Sequence, residues 1–182
     1  MIKRLALIGA GVAMAAPAPS AVTSSSDIGF AVEESVEIAA DAATVYRLLG
    51  EPGSWWSKDH SYSGNAANLS LELKAGGCFC ELLPGVNGSA GSVEHARVLY
   101  AAPGKQLRLS GALGPLQAEA VTGTLTFQIS PGARGTRVTL SYVVGGYVRA
   151  GAARIAPIVD KVLAEQLEGL RRAAEARGRS GK

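Results

Sequence analysis

Charge and metal-binding side chains are scarce in this sequence. Asp, Glu, Lys and Arg together make up 18% of the 182 residues, too few for a disordered acidic or basic chain. Two cysteines and two histidines, His60 and His95, are the whole supply of soft ligands. A structural zinc site takes four ligands, and the Cys-x-Cys spacing of Cys78 and Cys80 lacks the two-residue gap of common zinc knuckles. No metal is expected. The chain has no Gly-x-Ser-x-Gly elbow, phosphate-binding loop, dinucleotide fingerprint or His-Glu-x-x-His, so no cofactor is expected either. The net charge of +3 is diffuse, with Arg171, Arg172, Arg177, Arg179 and Lys182 gathered at the C-terminal end. Nucleic-acid binders cluster their cations on a folded face. A solvated tail is therefore expected, and no nucleic-acid partner. Internal repeats are absent.

The N-terminal order is specific. Lys3 and Arg4 precede a short apolar run, Leu5 to Ala16, and then small residues. Ala13-Met14-Ala15 and Pro19-Ser20-Ala21 are both suitable cleavage contexts. This is the layout of a secretory signal peptide, and the run is too short for an ordinary membrane span. The expected organisation is a signal peptide over 1–21, a flexible linker over 22–29, one domain over 30–177 and a basic tail over 178–182. An uncleaved N-terminal anchor is the alternative. Either way the domain is expected in the periplasm or outside the cell, with no stable membrane span once the signal is removed.

Hydrophobic residues at 47% supply a full core for one domain. Phe30, Val32, Val36 and Ile38 recur at period two, which predicts a half-buried strand. Glu34 breaks that row, as an edge residue or as a polar group aimed into a cavity. Asp41 is placed to cap a helix through Val45 and Leu48 that Gly50 stops. The stretch Gly53 to Asn68 has no clean period and reads as a helical turn plus a loop. Strands follow at Leu69–Lys74, Cys78–Leu83, Val93–Tyr100, Leu107–Leu109, Ala120–Ile129 and Val138–Val144, separated by Gly and Pro turns. Ile155, Ile158, Val159, Val162, Leu163, Leu167 and Leu170 then fall at three and four spacing, with Asp160, Lys161, Glu165, Glu168 and Arg172 opposite. That is a long amphipathic helix with Pro157 in its first turn. The fold class is α+β: a curved antiparallel sheet wrapped on a long C-terminal helix. Such a sheet does not close its core as a sandwich does, and the space left is an apolar pocket with a few polar groups.

Particular stretches resemble the helix-grip fold of the START-like (SRPBCC) superfamily. They are Val36-Glu37-Ile38 with Ala43-Thr44-Val45-Tyr46, Ser54-Trp55-Trp56, Gly76-Gly77-Cys78-Phe79, Arg97-Val98 with Pro103-Gly104-Lys105-Gln106-Leu107, Gly135-Thr136-Arg137-Val138 and Gly145-Gly146-Tyr147. The pattern is similar to the bacterial branch related to heat-shock-chaperone ATPase activators and polyketide cyclases, and covers Val32 to about Ala174. The resemblance implies binding of a lipid, sterol, polyketide or other hydrophobic ligand, with cyclase or hydrolase activity in some members. These motifs are structural and carry the fold further than any activity.

Three groups are candidates for chemistry. Trp55 and Trp56 share a loop with Lys58, Asp59, His60 and Tyr62; the tryptophans suit a cavity lid, or one of them anchors the loop in the core. Asp59 and His60, adjacent in sequence, are poorly placed to act together. Glu81, His95 and Arg97 lie on neighbouring strands, Glu81 sharing a face with Phe79, and His95 and Arg97 sharing a face with Val93 and Leu99. Facing inward, they would fix the polar end of a ligand; facing outward, they are a cross-strand charge pair. The resemblance places Phe79 inward, and Glu81 with it. Tyr142 belongs to the inward row of the last strand. Cys78 and Cys80 share a face with Cα atoms roughly 6.5–7 Å apart on a regular strand, at the limit for a disulfide without strain. A free pair, an intermolecular bond or half a metal site are the other roles.

The expected ligand-binding set is thus Trp55, Trp56, Phe79, Glu81, His95, Arg97 and Tyr142. The expected function is an exported binding or carrier protein for a hydrophobic small molecule. A cyclase- or hydrolase-type enzyme using the same pocket is the second reading. A module that docks a protein partner on a sheet edge or on the tryptophan loop is the third.

Overall fold

The computed structural model describes residues 21–85 and 88–180. Eight strands form one antiparallel sheet. β1 (Val22–Ser26) pairs with β2 (Gly29–Ile38). After helix α1 (Ala42–Leu49) come β3 (Leu69–Leu71), β4 (Cys78–Leu83), β5 (Gly91–Ala102), β6 (Gln106–Ser110), β7 (Ala120–Gly132) and β8 (Gly135–Tyr147). The order across the sheet is β1-β2-β8-β7-β6-β5-β4-β3. Consecutive strands pair from β3 to β8, and β2 then closes on β8, so the meander predicted from the turns is the observed one. Helix α2 (Ala152–Ser180) lies on the inner face against β2 and β1. This is the helix-grip arrangement: a curved sheet, not closed into a barrel, holding one long helix.

Local chemistry explains the element ends. The Asp41 carboxylate accepts the Thr44 amide (2.8 Å) and the Thr44 hydroxyl (2.8 Å), which starts α1. α1 packs Val45, Leu48 and Leu49 inward. In β7 and β8 the alternation is regular: Leu125, Phe127, Ile129, Val138, Leu140 and Val144 are buried, and their register runs unbroken from Ala120↔Tyr147 to Gly132↔Gly135. On α2, Ala156, Leu163, Leu167, Leu170 and Ala174 are buried. Their steps of seven, four, three and four put them on one stripe, and each leucine contributes about 2 kcal/mol on leaving water. Gly169 lies on α2 because a Cβ there would come 2.3 Å from the Trp55 carbonyl oxygen.

Five expectations are corrected. Val22–Ser26, read as linker, is the edge strand β1, whose polar serines suit an exposed edge. α2 begins at Ala152, so Pro157 is its sixth residue, beyond the first turn, and the bond to the Ala153 carbonyl is missing. Three of the C-terminal arginines are paired: Arg171 bridges Glu168 and Glu175, Arg172 lies 3.6 Å from Glu168, and Arg177 reaches Glu51 at 2.5 Å. Helix α2 also runs into the stretch expected as tail. Asp160, expected on the solvent side of α2, is 7% exposed and meets Glu34, whose carboxyl burial and Asp160 together push up to about 7. Glu34 is thus the inward polar group in β2. The expected signal peptide lies outside the described residues except for Ala21.

Candidate ligand cavity

The Gly53–Asn68 stretch sets one wall of a hollow under the sheet. It holds three single-turn 3-10 helices, Pro52–Ser54, Lys58–His60 and Ala66–Asn68. The two tryptophans divide the work. Trp55 is 7% exposed, donates its indole N–H to the Leu48 carbonyl (2.8 Å), and meets the Phe127 ring edge-on at 6.3 Å. It anchors the loop to α1 and the core. Trp56 faces the hollow, donates to the His60 carbonyl (3.0 Å) and packs on Phe79 at 5.2 Å. From α2, Gln166 is buried and accepts the Ser57 amide at 2.7 Å, tying the loop to the helix.

The cavity has a volume of about 570 Å³ and opens to solvent, within the range of small-molecule pockets. Its floor is α2: Ile155, Ile158, Val159, Val162 and Leu163. Opposite stand Trp56, Tyr62 and His95, with Leu113 and Leu116 from the break between β6 and β7. The break is held by Tyr142, which is fully buried, donates to the Gly111 carbonyl (2.9 Å) and accepts the Leu113 amide (3.0 Å). Burial pushes the Tyr142 phenol up to about 12, so it stays a donor at physiological pH. At the mouth, His60 and Glu165 are 3.1 Å apart. Asp59 pairs with Lys58 instead (2.6 Å), so Asp59 and His60 do not act as a pair.

One polar cluster is built into the wall. Glu81 is 1% exposed and accepts three donors: the Tyr62 amide (3.0 Å), the Ser63 amide (2.6 Å) and His95 Nε2 (3.0 Å). Burial by itself would raise the Glu81 carboxyl; the Ser63 side chain, the Ser63 and Tyr62 amides and His95 outweigh it and hold the group below its ordinary value. Burial lowers the His95 imidazole, with Glu81 opposing. The two shifts agree on one state at neutral pH: an ionised Glu81 and a neutral His95 that donates through Nε2. Its Nδ1 makes no hydrogen bond with the described residues. An acceptor on an apolar wall, oriented by a buried carboxylate, can take a proton or a hydrogen bond from a ligand hydroxyl.

Of the expected site residues, Trp56 and His95 line the cavity. Trp55, Phe79, Glu81 and Tyr142 form a supporting layer behind it. Arg97 is a correction. It was expected to share a face with His95, but a β-bulge separates them: Phe79 is opposite Ala96 and Cys80 is opposite Glu94, leaving His95 over. His95 and Ala96 both turn inward, Arg97 turns outward, and it pairs with Glu94 in solvent. The Cα spacing of the cysteines, expected at roughly 6.5–7 Å on a regular strand, is corrected too, while the sequence leaves their pairing open. Cys78 and Cys80 are bonded to each other, with Cα atoms 5.4 Å apart, because β4 is drawn in at this point and departs from the regular rise. Sequence reasoning left the α2 stripe and Tyr62 out of the site. The stripe was legible as an apolar face, but not the part of it that the sheet leaves uncovered.

Among the described residues no group of three or more His, Cys, Asp or Glu is placed to hold a metal ion. No described helix is long and apolar enough to cross a membrane.

A family model described as polyketide cyclase/dehydrase and lipid transport matches residues 29–175. No curated protein matches the chain. Solved structures share the fold at low identity. A Staphylococcus aureus protein of unknown function superposes with a TM-score of 0.59 at 12% identity, over 82% of this chain and 95% of that one. An uncharacterized Rhizobium leguminosarum protein gives 0.56 at 17% identity, over 80% and 94%. The di-domain ARO/CYC StfQ of the steffimycin biosynthetic pathway gives 0.57 at 16% identity, over 86% of this chain and 53% of that one.

Proposed function

The chain belongs to the polyketide cyclase/dehydrase and lipid transport family, and from that premise we propose that it binds an apolar small molecule carrying a polar group that meets His95. The observation that supports this most is the cavity itself: about 570 Å³, floored by five aliphatic side chains of α2, with His95 on its wall and the buried Glu81 carboxylate behind it. A ligand that hides about 200 Å² of apolar surface there gains about 5 kcal/mol at 25 cal/mol per Å². Titration of the delipidated protein with a naphthalene-type fluorescent probe tests the reading. Saturable binding, competed by extracted host lipids or aromatic polyketides, is expected; no saturable signal would sink it. Native mass spectrometry of protein purified from its own host reads the bound species directly.

A second reading has its own support. Nδ1 of His95, backed by Glu81, is arranged as a general base, which suits cyclisation or dehydration of a bound substrate. Turnover of a polyketide-like substrate that collapses in His95→Ala, while probe affinity changes less than tenfold, would establish it. Action outside the cytoplasm is part of the proposal, and rests on the Lys3-Arg4, apolar and small-residue order at the N-terminus. Cell fractionation with N-terminal sequencing checks it: a cytoplasmic protein beginning at Met1 would refute it.

A further inference from the structure

The Cys78–Cys80 bridge joins two residues of one strand, so it ties no two elements together. A cross-link stabilises chiefly by restricting the unfolded chain, least when the closed loop is shortest. As a staple it does little, and its position is more informative. A regular strand carries alternate Cα atoms roughly 6.6 Å apart; here they are 5.4 Å apart. The gathered step coincides with the bulge in β5, where the residue left over is His95. Phe79, between the cysteines, packs on His95 with ring centroids 4.9 Å apart, and Glu81, the next residue, accepts from it. A covalent bridge on the outer face is thus joined, through consecutive residues, to the polar pair on the inner face.

Both cysteines are half-buried on the outer face and open to solvent. The sulfurs are not equivalent: Cys78 is opposite Arg97 and Cys80 is opposite Glu94. A neighbouring cation stabilises a thiolate, and Arg97, although paired with Glu94, is the cation opposite Cys78, which makes Cys78 the leaving group in the step proposed. We propose that Cys78–Cys80 is a thiol–disulfide exchange site for dithiols approaching the outer face of the sheet, and that its redox state sets how His95 meets Glu81. One thiolate of the dithiol attacks the Cys80 sulfur; the Cys78–Cys80 bond breaks, a mixed disulfide forms and Cys78 departs as thiolate. The second thiolate attacks its own partner sulfur in the mixed disulfide, and Cys80 departs. Two electrons pass from the dithiol, which becomes a disulfide, and its two protons are available to the cysteine pair. Once released, β4 recovers its rise while the bulge keeps the register, the Phe79–Glu81 step moves relative to β5, and His95 loses its alignment with Glu81.

This inference goes beyond the ligand reading and does not need a ligand, so the two can fail separately. The full-length folded protein is treated with dithiothreitol, alkylated with iodoacetamide without denaturant, and weighed. The imidazole resonances are followed by NMR against pH, with His60→Gln to assign them. Expected are two alkylations, an unchanged far-UV circular dichroism spectrum, and a His95 midpoint lower by on the order of one unit, a change reproduced by Cys80→Ser. Alkylation only in denaturant would overturn the exchange site, as would loss of the fold on reduction. His95 signals that stay the same in the reduced protein and in Cys80→Ser would overturn the coupling.

Discussion

At the scale of single residues, the decisive feature is that Glu81 is paired three times over in a place water does not reach. Removing its side chain leaves the Tyr62 amide, the Ser63 amide and His95 Nε2 without their acceptor. The His95 nitrogen is buried and the two amides are part-buried; a buried orphan costs about 1–3 kcal/mol and a wetter one less, so Glu81→Ala should lose about 2 kcal/mol or more in urea unfolding, whereas Arg97→Ala should leave the midpoint unchanged. Equal losses would mean that the inner and outer assignments of this strand are reversed. Glu34 gives a pH signature. Its carboxyl is raised from 4.5 to about 7 by burial and by Asp160. Between those values the folded protein holds a proton that the unfolded chain has released, so this contribution is full below about pH 4.5 and is lost as pH rises through about 7. His95, held below its ordinary value, acts with the opposite sign as pH falls. The difference between wild type and Glu34→Gln isolates the Glu34 part: the wild type should lose more stability than the variant on going from pH 5 to pH 8, and parallel curves would refute it. The residue scale is also where sequence reasoning fell short. Glu81 and His95 could be named because a carboxylate and an imidazole fall on neighbouring strands, but the sequence leaves their facing open, and only the family resemblance turns Phe79, and Glu81 with it, inward. Arg97 was misplaced because a bulge inverts the alternation after one extra residue, and nothing in Glu94-His95-Ala96-Arg97 marks it.

At the scale of elements, the strands with strict alternation and the helix with its stripe were legible, because burial on one face forces period two or period 3.6. The element ends depended on tertiary partners. β1 reads as linker, since its serines and threonine carry no apolar row; it is a strand because β2 offers an edge and α2 lies beneath it. Gly169 shows the same dependence. In an isolated helix, Gly169→Ala would gain up to about 1 kcal/mol. Here the new methyl would collide with the Trp55 carbonyl, a backbone atom that cannot swing aside. The substitution should lower the melting temperature and shift tryptophan emission, since Trp55 sits in the core and Trp56 on the cavity wall. A rise in melting temperature would show that the loop moves off the helix at no cost.

At the scale of the whole molecule, the sheet wraps a helix whose apolar face is wider than the sheet can cover. Leu167 and Leu170 are sealed, while Val159, Val162 and Leu163 line the hollow and Ile158 is 59% exposed. This surplus of apolar surface costs stability in the empty protein, because the groups around a hollow forgo the contacts that close packing would give them. The hollow therefore makes opposite demands on stability and on binding, and one substitution separates them. Val162→Phe places a ring in the space a ligand would take. The empty variant should melt at the same temperature as the wild type or a few degrees higher, since about 1 kcal/mol moves a domain of this size by about 2–4 °C. Its affinity for the naphthalene-type probe should fall at least tenfold, or about 1.4 kcal/mol. Lower stability with undiminished probe binding would mean that the side chain at 162 packs against a filled interior and that the probe binds elsewhere, and the cavity would then have no claim to be the site.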